Sequence, residues 1–125
     1  MALKKRILAV DDNSICLATI EQELKDVYEV IPINSGVRAL QYLKREKPDL
    51  ILLDIQMALK DGIETLKEIR EMENCADVPV VMLTSKGDKE TILKSSRLGI
   101  YDYVLKPFKK QDLRQRIDRV LKNIS

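Results

Sequence analysis

Apolar residues along the chain follow two rhythms that alternate. Ile7-Leu8-Ala9-Val10 is a short unbroken apolar run ending at Asp11-Asp12, and it predicts a buried strand. Beyond it Cys16, Leu17, Ile20, Leu24 and Val27 recur at three- and four-residue spacing, which predicts a helix that Asn13 or Ser14 can cap. Tyr28-Glu29-Val30-Ile31-Pro32-Ile33 is a second strand. Its internal proline cannot donate to a ladder on both sides, so the strand belongs at an edge of the sheet. Ser35 caps a second helix carrying Ala39, Leu40 and Leu43, which stops before Pro48.

Leu50-Ile51-Leu52-Leu53 shows no polar alternation and reads as a strand buried on both faces, the kind found in parallel sheets. It ends on Asp54, and a turn follows at Asp61-Gly62. A helix from about Gly62 places Ile63, Leu66, Ile69 and Met72 on one face. Residues 78–83 form a fourth strand ending at Thr84-Ser85. The helix over 88–98 is the weakest, with only Ile92, Leu93 and Leu98 as apolar contacts, and Gly99 is its natural stop. Residues 101–105 make a fifth strand ahead of Lys106-Pro107. The last helix, over 109–122, presents Leu113, Ile117, Val120 and Leu121 at helical spacing.

Five strand–helix units in 125 residues predict one α/β domain over residues 1–125, a parallel sheet with helices on both faces. Five units fit the flavodoxin-like doubly wound order 2-1-3-4-5, and the edge position of strand 2 agrees with it. In that order the carboxyl ends of strands 1, 3 and 4 bring Asp11, Asp12, Asp54 and Thr84 to one rim. Strand 5 adds Lys106.

Composition removes several classes of function. A net charge of +2, with basic and acidic residues interleaved, argues against direct nucleic-acid binding. No apolar run approaches the roughly 20 residues of a membrane span, and the amino terminus lacks a signal peptide's apolar stretch. Cys16 and Cys75 match no metal spacing and read as reduced structural thiols of a cytoplasmic protein. The absence of histidine rules out His-based metal sites and Ser-His-Asp chemistry.

Three neighbouring carboxylates repel one another, so a proton or a bound cation must offset them. Hard oxygen ligands suit Mg2+, and the natural anionic companion of such a site is phosphate. Lys106 supplies a point charge for one phosphoryl oxygen and the Thr84 hydroxyl a donor for another. A carboxylate attacking phosphorus there gives an aspartyl-phosphate. Taken singly, each residue has a plain structural reading. Asp11 is favourable toward a helix dipole, Asp54, Thr84 and Ser85 are helix caps, Lys106 is a solvated strand end and Tyr103 a core aromatic. Only their convergence favours a site.

The motifs Ile7-Leu8-Ala9-Val10-Asp11-Asp12-Asn13, Leu50-Ile51-Leu52-Leu53-Asp54, Asp61-Gly62, Thr84, Gly99, Asp102-Tyr103 and Lys106-Pro107-Phe108 follow in order. With them the chain resembles, over essentially its whole length, the receiver domain of bacterial two-component response regulators. The resemblance implies that Asp54 accepts a phosphoryl group from a sensor histidine kinase or a histidine phosphotransfer protein. It implies Mg2+ held by Asp12 and Asp54, by Asp11 through water and by the Gln56 backbone carbonyl. Thr84 and Lys106 would hold the phosphoryl oxygens, and Tyr103 would turn inward as Thr84 is drawn to the phosphate. The Lys106-Pro107 bond would be cis. The fourth helix, fifth strand and last helix would form a switched surface for a downstream protein or a homodimer. No enzyme activity is implied beyond the domain's own phosphorylation and dephosphorylation.

The chain departs from the family's usual Met-Pro and Met-Asp-Gly after the acceptor, reading Met57-Ala58-Leu59-Lys60-Asp61-Gly62. Ala58 replaces a stiffening proline, Lys60 adds a cation, and Ser85 stands where alanine is commonest. Gln56 and Lys86 occupy positions that in the resembled family influence how long the phosphoryl group survives. The alternative is a Mg2+-dependent phosphohydrolase with an aspartyl nucleophile, which would want a second aspartate where Gln56 stands. A flavin module on the same topology would place a phosphate against Asp11-Asp12, where it is repelled. The chain is expected to be a stand-alone receiver rather than a piece of a longer regulator.

Overall fold

A computed structural model describes residues 3–85, 89–109 and 111–124. The elements alternate as β1 (Arg6–Val10), α1 (Ser14–Leu24), β2 (Glu29–Ile33), α2 (Gly36–Leu43), β3 (Leu50–Asp54), α3 (Gly62–Glu71), β4 (Val80–Ser85), α4 (Lys89–Arg97), β5 (Asp102–Lys106) and α5 (Asp112–Ile124). All strand pairings are parallel, in the order β2-β1-β3-β4-β5. This is the expected flavodoxin-like doubly wound sheet, with β2 at one edge.

Strand side chains alternate between two cores, one on each face of the sheet. Ile7, Ala9, Leu50, Leu52, Val81 and Leu83 pack with Leu17, Ile20 and Leu24 of α1 and Leu113 and Ile117 of α5. Leu8, Val10, Ile51, Leu53, Val80 and Met82 pack with Ala39 and Leu43 of α2 and Leu66 and Ile69 of α3. Every residue of β3 is buried, which explains its unbroken apolar run. Each such leucine or isoleucine contributes roughly 1.5–3 kcal/mol by burial. The last residue of so apolar a strand is therefore firmly placed.

The helices begin where capping chemistry starts them. Asn13 accepts from the N–H groups of Ile15 and Cys16, and Ser35 from that of Arg38. Asp61 and Glu64 form a reciprocal capping box on α3. Gly99 ends the fourth helical unit at φ +81. Helix α4 is weak as expected: Leu93 is 64% exposed, and among its described side chains the buried one is Ser95.

Several boundaries differ from those read in the sequence. Met72 is the extended C-cap of α3 rather than part of it, although its side chain still packs on the core. Tyr28, Val78 and Pro79 are buried just ahead of strands they were expected to begin. Lys106 is the last residue of β5, and α5 starts at Asp112, after Gln111 at φ +68. Asp88, expected to open the fourth helix, and Lys86 lie outside the described residues.

Candidate functional site

The carboxyl ends of β1, β3, β4 and β5 meet as the topology requires. One oxygen from each of Asp11, Asp12 and Asp54 lies within 4.8 Å of the others. Lys106 Nζ donates to Asp11 Oδ2 at 2.7 Å and stands 3.1 Å from Asp54 Oδ1. The Lys106-Pro107 peptide is cis. Between β3 and β5 lies Thr84, which is buried and donates its hydroxyl to the Ser85 carbonyl at 3.2 Å. Asp11 and Asp54 are buried, whereas Asp12 faces solvent.

Burial and charge pull these groups in opposite directions. Asp54 is pushed up to about 6, first by burial and then by the neighbouring Asp11 carboxylate, with Lys106 opposing. Burial also pushes Asp11 up, but donors from the Cys16 thiol, Lys106 and the Asn13 N–H outweigh it and hold Asp11 below the usual range. Lys106 is the mirror case: burial lowers it, and the two carboxylates raise it further. Cys16, half-buried against Asp11, is pushed up to about 12 by burial and by that carboxylate. Both cysteines are free thiols, as expected.

Gly62 brings α3 onto the end of β3. Its N–H donates to the Ile55 carbonyl at 2.8 Å, and a Cβ there would sit 2.2 Å from the Asp54 carbonyl oxygen. Only glycine allows this approach. The loop between Asp54 and Gly62 is where the chain leaves the family's pattern. Ala58 N–H donates to Asp12 Oδ2 at 3.0 Å, and Lys60 pairs with Glu68 of α3. Lys60 thus turns from the acidic rim toward α3. Gln56 is exposed two residues beyond Asp54, and Tyr103 is 40% exposed on β5.

Two features had no usable signal in the sequence. A backbone donor such as Ala58 N–H leaves no trace in residue type. Arg70 reads as a solvated helical charge, yet its guanidinium donates to the carbonyls of Leu98, Gly99, Ala76 and Val78 at 2.8–3.1 Å. It ties α3 to the chain following α4.

Residues 7–118 match the response regulator receiver domain as a family model. A probable transcriptional regulator of Porphyridium aerugineum is 36% identical over 97% of this chain and 50% of its own length. The chain spans about half the length of several such curated relatives. The chemotaxis protein CheY of Halobacterium salinarum is 33% identical over 95% of this chain and 98% of that protein. The receiver domain of a sensor histidine kinase from Pseudomonas aeruginosa, solved with a magnesium ion coordinated in its active-site cleft, superposes with a TM-score of 0.86. It is 33% identical, covering 96% of this chain and 99% of that one. Sequence motifs, strand order and the family match agree on one conclusion: the chain belongs to the receiver domains of two-component response regulators.

Proposed function

We propose that this chain is a phosphoacceptor signalling module, in which Asp54 takes a phosphoryl group from the phosphohistidine of a sensor histidine kinase or histidine phosphotransfer protein. The observation that carries the reading is the pairing of a buried strand-end carboxylate, Asp54, with the ammonium of Lys106 at 3.1 Å. An Asp54 oxygen attacks phosphorus in line, the bond from phosphorus to the donor imidazole breaks, and the imidazole takes a proton from solvent. Such transfer rests on alignment and charge stabilisation rather than on an acid–base residue.

The donor set fits Mg2+. Three carboxylate oxygens within 4.8 Å of one another are hard ligands, and the charge of Asp11 adds to burial in lifting Asp54 to about 6. Asp12 and Asp54 would hold the ion directly, Asp11 through water, and the Gln56 carbonyl would complete the protein's share. When bound, the ion neutralises charge on the transferring phosphoryl oxygens and keeps Asp54 ionised. Lys106 holds one phosphoryl oxygen. The Thr84 hydroxyl holds another, leaving the Ser85 carbonyl to do so.

Thr84 and Tyr103 are the switch. In this reading the exposed Tyr103 moves inward as the Thr84 hydroxyl is drawn toward the phosphate. The population then shifts between two conformations. Leu93, Tyr101, Tyr103 and Leu105 are all exposed large apolar side chains on α4, on β5 or between them. They suit a surface for a downstream protein, on a helix held by few buried contacts. The module acts in the cytoplasm. No helix among the described residues is long and apolar enough to cross a membrane.

Nuclear magnetic resonance spectra with Mg2+ and beryllofluoride test the reading. Amides of Thr84, Tyr103 and α4 should shift in the wild type and not in Asp54→Asn. No shift in the wild type, or an equal one in the variant, overturns it.

A further inference from the structure

The hydrogen bond from Ala58 N–H to Asp12 Oδ2 spans 46 residues of sequence. Asp12 is the solvent-facing member of the acidic triad. Asp11 is fixed by Lys106 and by the Asn13 N–H, and Asp54 by Lys106. Among the described residues, the Ala58 N–H is the hydrogen-bond donor found at the Asp12 carboxylate. An exposed aspartate with no such partner samples several rotamers, and only some of them point at its neighbours.

The loop is bent to make this contact. Lys60 N–H donates to the Ala58 carbonyl at 2.8 Å, which closes a γ-turn centred on Leu59. Leu59 has φ +67, a conformation unfavourable for a branched L side chain, and that side chain is fully exposed. Contacts of Leu59 itself do not offset the strain. The loop's two anchors, Ala58 on Asp12 and Lys60 on Glu68, hold it on either side of the turn.

We infer that the Ala58 N–H is a positioning donor for divalent-cation binding, aiming Asp12 into the triad, and that a bound cation in turn immobilises the loop over residues 56–60. The inference rests on reading the acidic rim as a Mg2+ site. Reciprocity follows from linkage: if the ordered loop favours the cation, the cation favours the ordered loop by the same factor. Proline at 58 would stiffen the loop but carry no N–H, whereas glycine would loosen it and keep the donor. Stiffness and hydrogen bonding therefore predict opposite rankings of these two variants.

The test is the affinity of the full chain for Mn2+, read by electron paramagnetic resonance, with Mg2+ followed by calorimetry. Circular dichroism confirms that each variant is folded. Ala58→Pro should bind roughly tenfold more weakly than wild type, the lower end of what loss of a ligand's supporting hydrogen bond costs. Ala58→Gly should lose less. Proline binding as tightly as glycine, or more tightly, overturns the inference alone. A wild type that binds neither ion overturns the metal-site reading with it. A readout needing no variant is hydrogen exchange at the Ala58 amide of the wild type. It should slow on saturation with Mg2+, and an unchanged rate in a protein that binds Mg2+ overturns the inference.

Discussion

Lys106 Nζ lies 3.1 Å from Asp54 Oδ1, so the last residue of the edge strand β5 reaches across β4 to the end of the central strand. The same ammonium bonds Asp11 at 2.7 Å. One cation thus serves two buried carboxylates, and Asp12 adds a third negative group beside them. The rim keeps an excess of negative charge that a divalent ion can answer.

Asp54 makes stability depend on pH with a definite sign. Its carboxyl is pushed up to about 6 in the fold, while an unfolded aspartate titrates near ~3.9. Between those values the folded protein holds a proton that the unfolded chain releases. Stability from this group therefore falls as pH rises from about 4 to about 6 and stays low above that. Asp54→Asn should stabilise the metal-free protein by on the order of 2 kcal/mol at about pH 7. The gain should vanish near pH ~4, as urea unfolding at a series of pH values would reveal. A gain that does not change with pH would contradict the assignment.

Two glycines should respond differently to alanine. At Gly62 a Cβ would meet the Asp54 carbonyl oxygen at 2.2 Å and Ile55 Cα at 2.7 Å, both backbone atoms that cannot swing away. Gly62→Ala should cost on the order of 3 kcal/mol and disturb the acceptor itself. At Gly99 the nearest such contact is Arg70 Nε at 3.9 Å, so the cost is that of φ +81 alone, about 1 kcal/mol. Denaturant midpoints of the two variants decide the order.

The strand order was legible because each physical rule left a mark in residue type. Pro32 marks an edge, the Leu50–Asp54 run a doubly buried strand, and Gly99 a helix stop. The rim followed from topology, since parallel strands of one sheet end together. What escaped reading depends on conformation rather than composition. The strained turn at Leu59 carries no glycine to announce it, and the Ala58 donor is backbone. Lys60 read as a cation near the acidic rim, yet its ammonium pairs with Glu68 on α3.

Arg70 is the clearest of the missed residues. Its guanidinium serves four backbone carbonyls, and burial lowers its pKa against the weaker upward pull of Tyr101 and Asp77. Arg70→Met should cost about 2 kcal/mol, because carbonyls lose donors at a part-buried site. The loss should be local, with amides over residues 98–101 exchanging faster than those of α1 or α5. Arg70→Lys should rescue only part, since one ammonium cannot match a planar fork. Uniform acceleration across the chain would argue that Arg70 does not clamp α4.

Cys16 should be a poor nucleophile. Burial and Asp11 push its thiol up to about 12, so little thiolate exists at neutral pH. Asp11→Asn removes that carboxylate's share of the shift and should speed alkylation of Cys16 several-fold, measured by mass spectrometry of the native protein. Cys75 is fully buried and should stay unlabelled in both.

The most direct measurement asks where the phosphoryl group goes. The wild type is incubated with Mg2+ and acetyl phosphate, then reduced with borohydride, which converts an aspartyl phosphate to homoserine. Peptide mass spectrometry should place homoserine at position 54 and nowhere else. It should form far less in Lys106→Met and without Mg2+. Homoserine at another aspartate, or none under conditions where the wild type binds Mg2+, would contradict Asp54 as the phosphoacceptor.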